Sequence, residues 1–253
     1  MKKCIMAIGA HADDQEMRCG GTLAKYHAGG YKIVYVMMTN NTAFGLKTDC
    51  TAEHTIMTRR RETTESAALV NAEIIFLDYP EEQFQCDYTY KAHYKQILDF
   101  KPVDLSGYPE TRRMRPPFIC AVDMEECIEE LAEILVRHEP EIILTHSSNE
   151  QNGEHWAAGM MALKAFRLAC ERVKLGSLYT WYYDECVTHL FTESILVDIS
   201  DYIGIKIEMM KKHVSQGLDK PDNGVIKGDK LIGSILGVSY AERFKVIETG
   251  GLS

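Results

Sequence analysis

The order of apolar patterns along the first half of the chain constrains its fold more than any other feature. Short β-like apolar runs alternate with stretches of helical period. Lys3 to Gly9 reads as a buried strand, Gly20 to His27 as a helix closed by Gly29-Gly30, and Lys32 to Met38 as a second strand. Thr58 to Val70 then reads as a helix and Glu73 to Leu77 as a third strand. That rhythm is the mark of a parallel sheet with helices on its faces. It resumes at Asp123, an N-cap candidate for a helix to about His138, and continues through a strand at Glu141 to Thr145 and a helix at His155 to Cys170.

The expected fold class is therefore α/β, Rossmann-like, with a mainly parallel sheet flanked by helices in a single domain over residues 1–253. No internal repeat or linker suggests a boundary. Two regions fit less well. Tyr79 to Cys120 loses the pattern and carries Tyr88, Tyr90, Tyr94, Tyr108 and the basic residues Arg112, Arg113 and Arg115. A long irregular stretch in a compact domain is usually a functional loop, here expected as a substrate loop. The last third mixes β-like runs (Leu178 to Tyr183, Ser194 to Val197) with a helix from about Tyr202 to His213 and a tail punctuated by glycines.

Composition limits the partners. A net charge of −9 argues against a nucleic acid held by its phosphates. No run approaches the ~18 apolar residues of a membrane span. The opening MKKCIMAIGA meets HADDQE too soon for a signal peptide. Eight scattered cysteines without a CxxC pair are expected as reduced thiols in a cytoplasm. No GxGxxG follows the first strand and no GxSxG occurs, which weighs against a dinucleotide oxidoreductase and a serine hydrolase.

Chemistry concentrates where two strands end. Ala10-His11-Ala12-Asp13-Asp14-Gln15-Glu16 follows the first strand, at the sheet edge where open α/β folds place ligands. A histidine and a carboxylate three apart can hold one metal ion, leaving the adjacent carboxylate for proton transfer. The plainer alternative is a polar helix start capped by Asp13 or Asp14. Thr145-His146 ends the fourth strand and leads to His155, so His146 or His155 can meet His11 and Asp14 on the same edge. Two histidines, one carboxylate and an open position describe a catalytic zinc site better than a structural one.

The run AIGAHADDQEMRCGGTLAKYHAGGYKIVYVMMT resembles the opening of the PIG-L / LmbE-like N-acetylglucosaminyl deacetylases, whose signature is AHPDDE followed by a glycine pair. Similar segments follow in order: Arg59 to Leu77 before FLDYPE, THSS to GEH, VDISDY, KKHVSQ with His213, and YAERF. The resemblance implies a zinc hydrolase that removes an acetyl group from an N-acetylglucosamine-type amino sugar or glycoconjugate. It implies His11, Asp14 and His155 as zinc ligands, with Fe2+ or another divalent ion as an alternative, and Asp13 as general base. Arg59, Asn40, Tyr108 and Arg112 are the candidate substrate residues, and the partner is the small-molecule sugar, with a homo-oligomer left open.

Three departures from the family pattern stand out. Ala12 replaces the usual proline, which is expected to loosen the turn. Gln15 stands where glutamate is common. The family's HPDH becomes Asn152-Gly153-Glu154-His155. Asn152 can donate a hydrogen bond to an oxyanion but supplies no proton, so His146 is the candidate to take over that duty. The rival expectation is a sugar-binding or regulatory pseudoenzyme that keeps fold and metal without turnover.

Overall fold

A computed structural model describes residues 3–42, 52–81, 115–148, 150, 152–181, 194–220 and 224–250. Seven strands form one sheet in the order β3-β2-β1-β4-β5-β7-β6. The strands are β1 (Cys4–Gly9), β2 (Lys32–Thr39), β3 (Glu73–Tyr79), β4 (Ile142–Thr145), β5 (Ser177–Trp181), β6 (Ser194–Asp198) and β7 (Ala241–Thr249). The first five run parallel, and β7 is antiparallel to both β5 and β6. The mainly parallel sheet flanked by helices is the architecture expected from the alternation.

β1 is central, so all six of its residues are buried and its sequence, CIMAIG, is apolar throughout rather than alternating. Its side chains divide between two cores. Met6 and Ile8 pack with Val34, Val36, Leu131 and Phe166 on one face. Ile5 and Ala7 pack with Ile33, Tyr35, Leu23 and Met209 on the other.

The helices are α1 (Asp14–Ala28), α2 (Ala52–Ala67), α3 (Phe118–Ala121), α4 (Glu125–His138), α5 (Gly153–Cys170), α6 (Ile203–Met210) and α7 (Gly224–Leu236). α1 begins six residues before the expected Gly20, because the motif itself forms its first turn. Within α1, a Cβ on Gly21 would lie 2.6 Å from Ile199 Cδ1, and one on Gly20 3.3 Å from Lys206 Cγ. The glycine pair thus permits close helix packing. Lys206 is fully buried there, its Nζ 2.6 Å from Asp229 and 2.7 Å from Glu242. Glu242 also accepts from the Gly21 and Thr22 amides, tying β7 to α1.

Several boundaries differ from expectation. Met124, not Asp123, occupies the α4 N-cap, and Asp123 instead pairs with Lys164. The helix expected over Tyr202 to His213 is shorter, ending at Met210 before a turn. The glycine-rich tail contains α7 and β7. Among the described residues no helix is long and apolar enough to cross a membrane.

Candidate metal centre

β1 sits between β2 and β4, the point where strand order reverses, and the crevice beyond the carboxyl ends of β1 and β4 receives the motif residues. His11 follows β1, Asp14 opens α1, and His155 lies in the first turn of α5. A Cβ on Gly159 would lie 2.5 Å from the His146 carbonyl oxygen, so glycine allows α5 to pack against the end of β4.

The three candidate ligands converge. His11 Nδ1 lies 3.1 Å from His155 Nε2, His155 Nε2 lies 3.4 Å from Asp14 Oδ1, and His11 Nδ1 lies 3.7 Å from Asp14 Oδ2. Tetrahedral zinc with ligands at its usual bond lengths separates them by about 3.4 Å. One ligand atom from each of the three residues lies within 4.8 Å of the other two, so the donor set fits a divalent ion.

Each candidate ligand is held from behind. Asp14 Oδ2 accepts from the His11 amide at 2.7 Å and faces His146 Nε2 at 2.9 Å. Trp181 donates its indole N–H to His146 Nδ1 at 3.2 Å. Because indole only donates, Nδ1 accepts there, while Nε2 faces both Asp14 Oδ2 and the Ala10 amide, which donates to it at 3.2 Å. His146 is 0% exposed, and burial with the neighbouring His155 pushes its pKa down to about 3. It lies behind Asp14 in so far as Oδ2 faces it, whereas Oδ1 faces His155.

His11 Nε2 meets two carboxylates, Glu154 at 2.7 Å and Glu81 at 3.0 Å. Glu150 Oε2 lies 3.8 Å from His155 Nδ1. Carboxylates behind metal-binding histidines commonly fix tautomer and ring orientation. Glu81, Glu150 and Glu154 were missed by the sequence reasoning. Glu150 and Glu154 flank His155 closely enough to have been flagged, whereas nothing local marks Glu81.

Asp13 precedes α1 with φ of 104°, a left-handed conformation uncommon for a residue with a side chain. Its side chain makes no capping hydrogen bond, so the plainer expectation of a capping aspartate fails at this position. Burial, aided by Asp14 and opposed by Arg59, pushes its pKa up to about 6.

The remaining candidates take other positions. Asn152 is the N-cap of α5, exposed, with its side chain accepting from the Glu154 amide at 2.9 Å and the His155 amide at 3.2 Å. Arg59 is buried, donating to the Ala12 carbonyl at 2.6 Å. Asn40 is buried too, its Oδ1 accepting from Thr42 Oγ and the Glu81 amide. Gln15 points under the sheet, where its amide donates to the Val36 carbonyl. Arg115 grips Glu130 with two bonds of 2.6 Å and stacks on Tyr79, so it belongs to the fold rather than to an open basic cluster. Tyr88, Tyr90, Tyr94, Tyr108, Arg112 and Arg113 lie outside the described residues.

His213 is fully buried with Nε2 3.4 Å from Glu16 Oε1, an oxygen that also accepts from Ser66 Oγ. Burial opposes protonation of His213, but Glu16 and Asp13 beside it raise its pKa. The next turn is locked by Glu62, which accepts from the Ser215 amide at 2.8 Å and hydroxyl at 2.6 Å. These contacts tie the KKHVSQ segment to α2.

A family model described as PIG-L, GlcNAc-PI de-N-acetylase, matches residues 6–166, more than half of the chain. The chain belongs to the PIG-L family. Solved structures agree on the fold. The chain is similar to the N,N'-diacetylchitobiose deacetylase of Pyrococcus horikoshii, with 20% identity, a TM-score of 0.70, and coverage of 97% of this chain and 84% of that one. It is also similar to a deacetylase of the teicoplanin biosynthesis pathway, with 14% identity, a TM-score of 0.66, and coverage of 99% and 100%. The 4-carboxy-2-hydroxymuconate hydratase of Pseudomonas putida is similar as well, at 18% identity with a TM-score of 0.66 and coverage of 99% and 98%. A hydratase among these neighbours shows that the PIG-L architecture does not by itself fix the reaction, which must be argued from the site.

Proposed function

We propose that this PIG-L protein is a metal-dependent hydrolase that removes the acetyl group from an N-acetylglucosamine-type amino sugar or its glycoconjugate. The observation that carries this is the His11, Asp14 and His155 triangle with Asp13 beside it. On this proposal those three side chains hold the ion, with zinc the first choice and Fe2+ the alternative. A divalent ion there would polarise the acyl carbonyl and acidify water, which an unactivated amide requires.

The chain's own residues supply the rest. Asp13, as carboxylate, takes a proton from the attacking water. As the C–N bond breaks, it returns that proton to the departing nitrogen, so one group serves as base and then acid. No second titrating donor is then needed, which accommodates asparagine at position 152. Net, the amide and water become acetate and a free amine. His146, Glu81, Glu154 and Glu150 hold the ligands in place, and Asn152 steadies the turn that bears His155.

The test is metal content together with acetate release from N-acetylglucosamine and its β-linked dimer. The wild type should contain one divalent ion per chain and release acetate, with both lost in His155→Ala. An ion bound without acetate release from any N-acetyl sugar would favour the pseudoenzyme reading, to which asparagine in place of histidine at 152 points. No ion in a folded wild type would defeat both.

A further inference from the structure

We propose that Asn41 is a positioning residue, which with Arg59 clamps the Ala12 backbone and so sets the place of Asp13 relative to the metal ligands. This rests on the hydrolase reading above. Asn41 Oδ1 accepts the Ala12 amide proton at 2.6 Å, and Arg59 Nη2 donates to the Ala12 carbonyl at 2.6 Å. Two successive peptide groups, one on each side of Ala12, are therefore pinned by buried side chains from β2's end and from α2. His11 precedes the first peptide and Asp13 follows the second.

The clamp is itself braced. Asn41 donates through Nδ2 to the Thr39 carbonyl at 3.0 Å, and its own backbone is left-handed, with φ of 62°. Thr39 in turn bonds the Ala10 carbonyl through both its amide and its hydroxyl. Asparagine is among the few residues with a side chain that adopt the left-handed region readily. Asp13 adopts that region without a capping bond of its own, so its conformation depends on the peptides around it.

Arg59 is thereby placed as a backbone anchor. Its guanidinium lies 3.7 Å from Asp13 Oδ2, too far for a hydrogen bond, while its 2.6 Å contact is to the Ala12 carbonyl. Ala12 also has a role that proline could not fill, since only a residue with an N–H can use the Asn41 oxygen. The expected loosening of the turn is countered by this bond.

Substituting Asn41→Gly tests the clamp, because glycine keeps the left-handed backbone and removes only the side chain. The expected result is a fall in kcat of about 10- to 100-fold, the scale of a misplaced catalytic group. KM should stay within about twofold and metal content should not change, since no ligand is touched. In an Ala12→Pro background the amide proton is already absent, so adding Asn41→Gly should have no further effect on kcat. Wild-type kcat in Asn41→Gly, a loss confined to KM, loss of the ion, or an equal fall in both backgrounds would each overturn the proposal.

Hydrogen exchange at the Ala12 amide gives a readout independent of any activity and of how Ala12→Pro folds. It should be protected in the wild type and exposed in Asn41→Gly. Were the wild type to release no acetate, the hydrolase reading would fall while this exchange result still decided whether the clamp exists. Equal protection in both proteins would show that it does not.

Discussion

Asn152 offers the sharpest separation of a structural role from a catalytic one, because its acceptor and its donor do different work. The oxygen caps α5, receiving the amides of Glu154 and His155. Replacing such a cap by alanine usually costs about 1 kcal/mol, within a range of roughly 0.5–2. In a chain of this size that lowers Tm by about 2–4 °C. One of the two freed amides belongs to His155, so metal affinity in Asn152→Ala should weaken by no more than the same energy, about fivefold. Asn152→Asp keeps the acceptor and should hold stability near wild type. It also loses the Nδ2 donor and brings a charge opposed to a developing oxyanion. If that donor serves the transition state, turnover in Asn152→Asp should fall by about 10²–10³ while Tm is unchanged. Thermal unfolding, chelator competition and acetate release on the same preparations decide the matter. A stable, fully active Asn152→Asp would refute any catalytic part for the donor, and an undiminished Tm in Asn152→Ala would refute the cap.

Other perturbations test the remaining assignments. Asp14→Asn should lose the ion, whereas Asp13→Asn should retain it and lose about 10²–10⁴ in turnover; the opposite pattern by metal analysis and kinetics would exchange their roles. On the proposed mechanism Asp13 acts as carboxylate, and burial raises its pKa to about 6, so kcat/KM should fall as pH drops through 6 or, with a cation bound nearby, through a lower value. An acid limb centred above pH 7 would exclude Asp13 as its source. Lys206→Met removes the buried cation between Asp229 and Glu242 and should cost about 3–5 kcal/mol, a fall in Tm on the order of 10 °C by calorimetry. A change under 2 °C would mean that those carboxylates find other partners.

What the sequence disclosed, and what it withheld, follow from the range of the interactions concerned. The parallel core was legible because burial of β1 on both faces forces an unbroken apolar run, CIMAIG, and the following helix repeats its apolar residues with its own period. β7 was not, since AERFKVIET is exposed over much of its second half and its pairing with β5 and β6 is antiparallel and distant in sequence. The start of α1 was hidden for another reason. Its first turn is filled by the buried polar residues Asp14, Gln15 and Glu16, so hydrophobic period gives little signal there.

The candidate site divides along the same line. On the proposed function His11, Asp13, Asp14 and His155 act through their own side chains, and residue type with spacing brings them into view. The residues that hold them act through contacts made far away in sequence or through backbone atoms: His146 through Asp14, Glu81 through His11, Asn41 through the Ala12 amide. A backbone amide leaves no trace in a sequence except where proline removes it. Position 12 is such a place: alanine there retains a donor, and a buried asparagine from the neighbouring strand end is its acceptor. A substitution that reads as the loss of a stiff turn therefore coincides with the gain of a tertiary hydrogen bond. The departure at residue 12 and the choice of asparagine at residue 41 are then one feature, and they should be altered together.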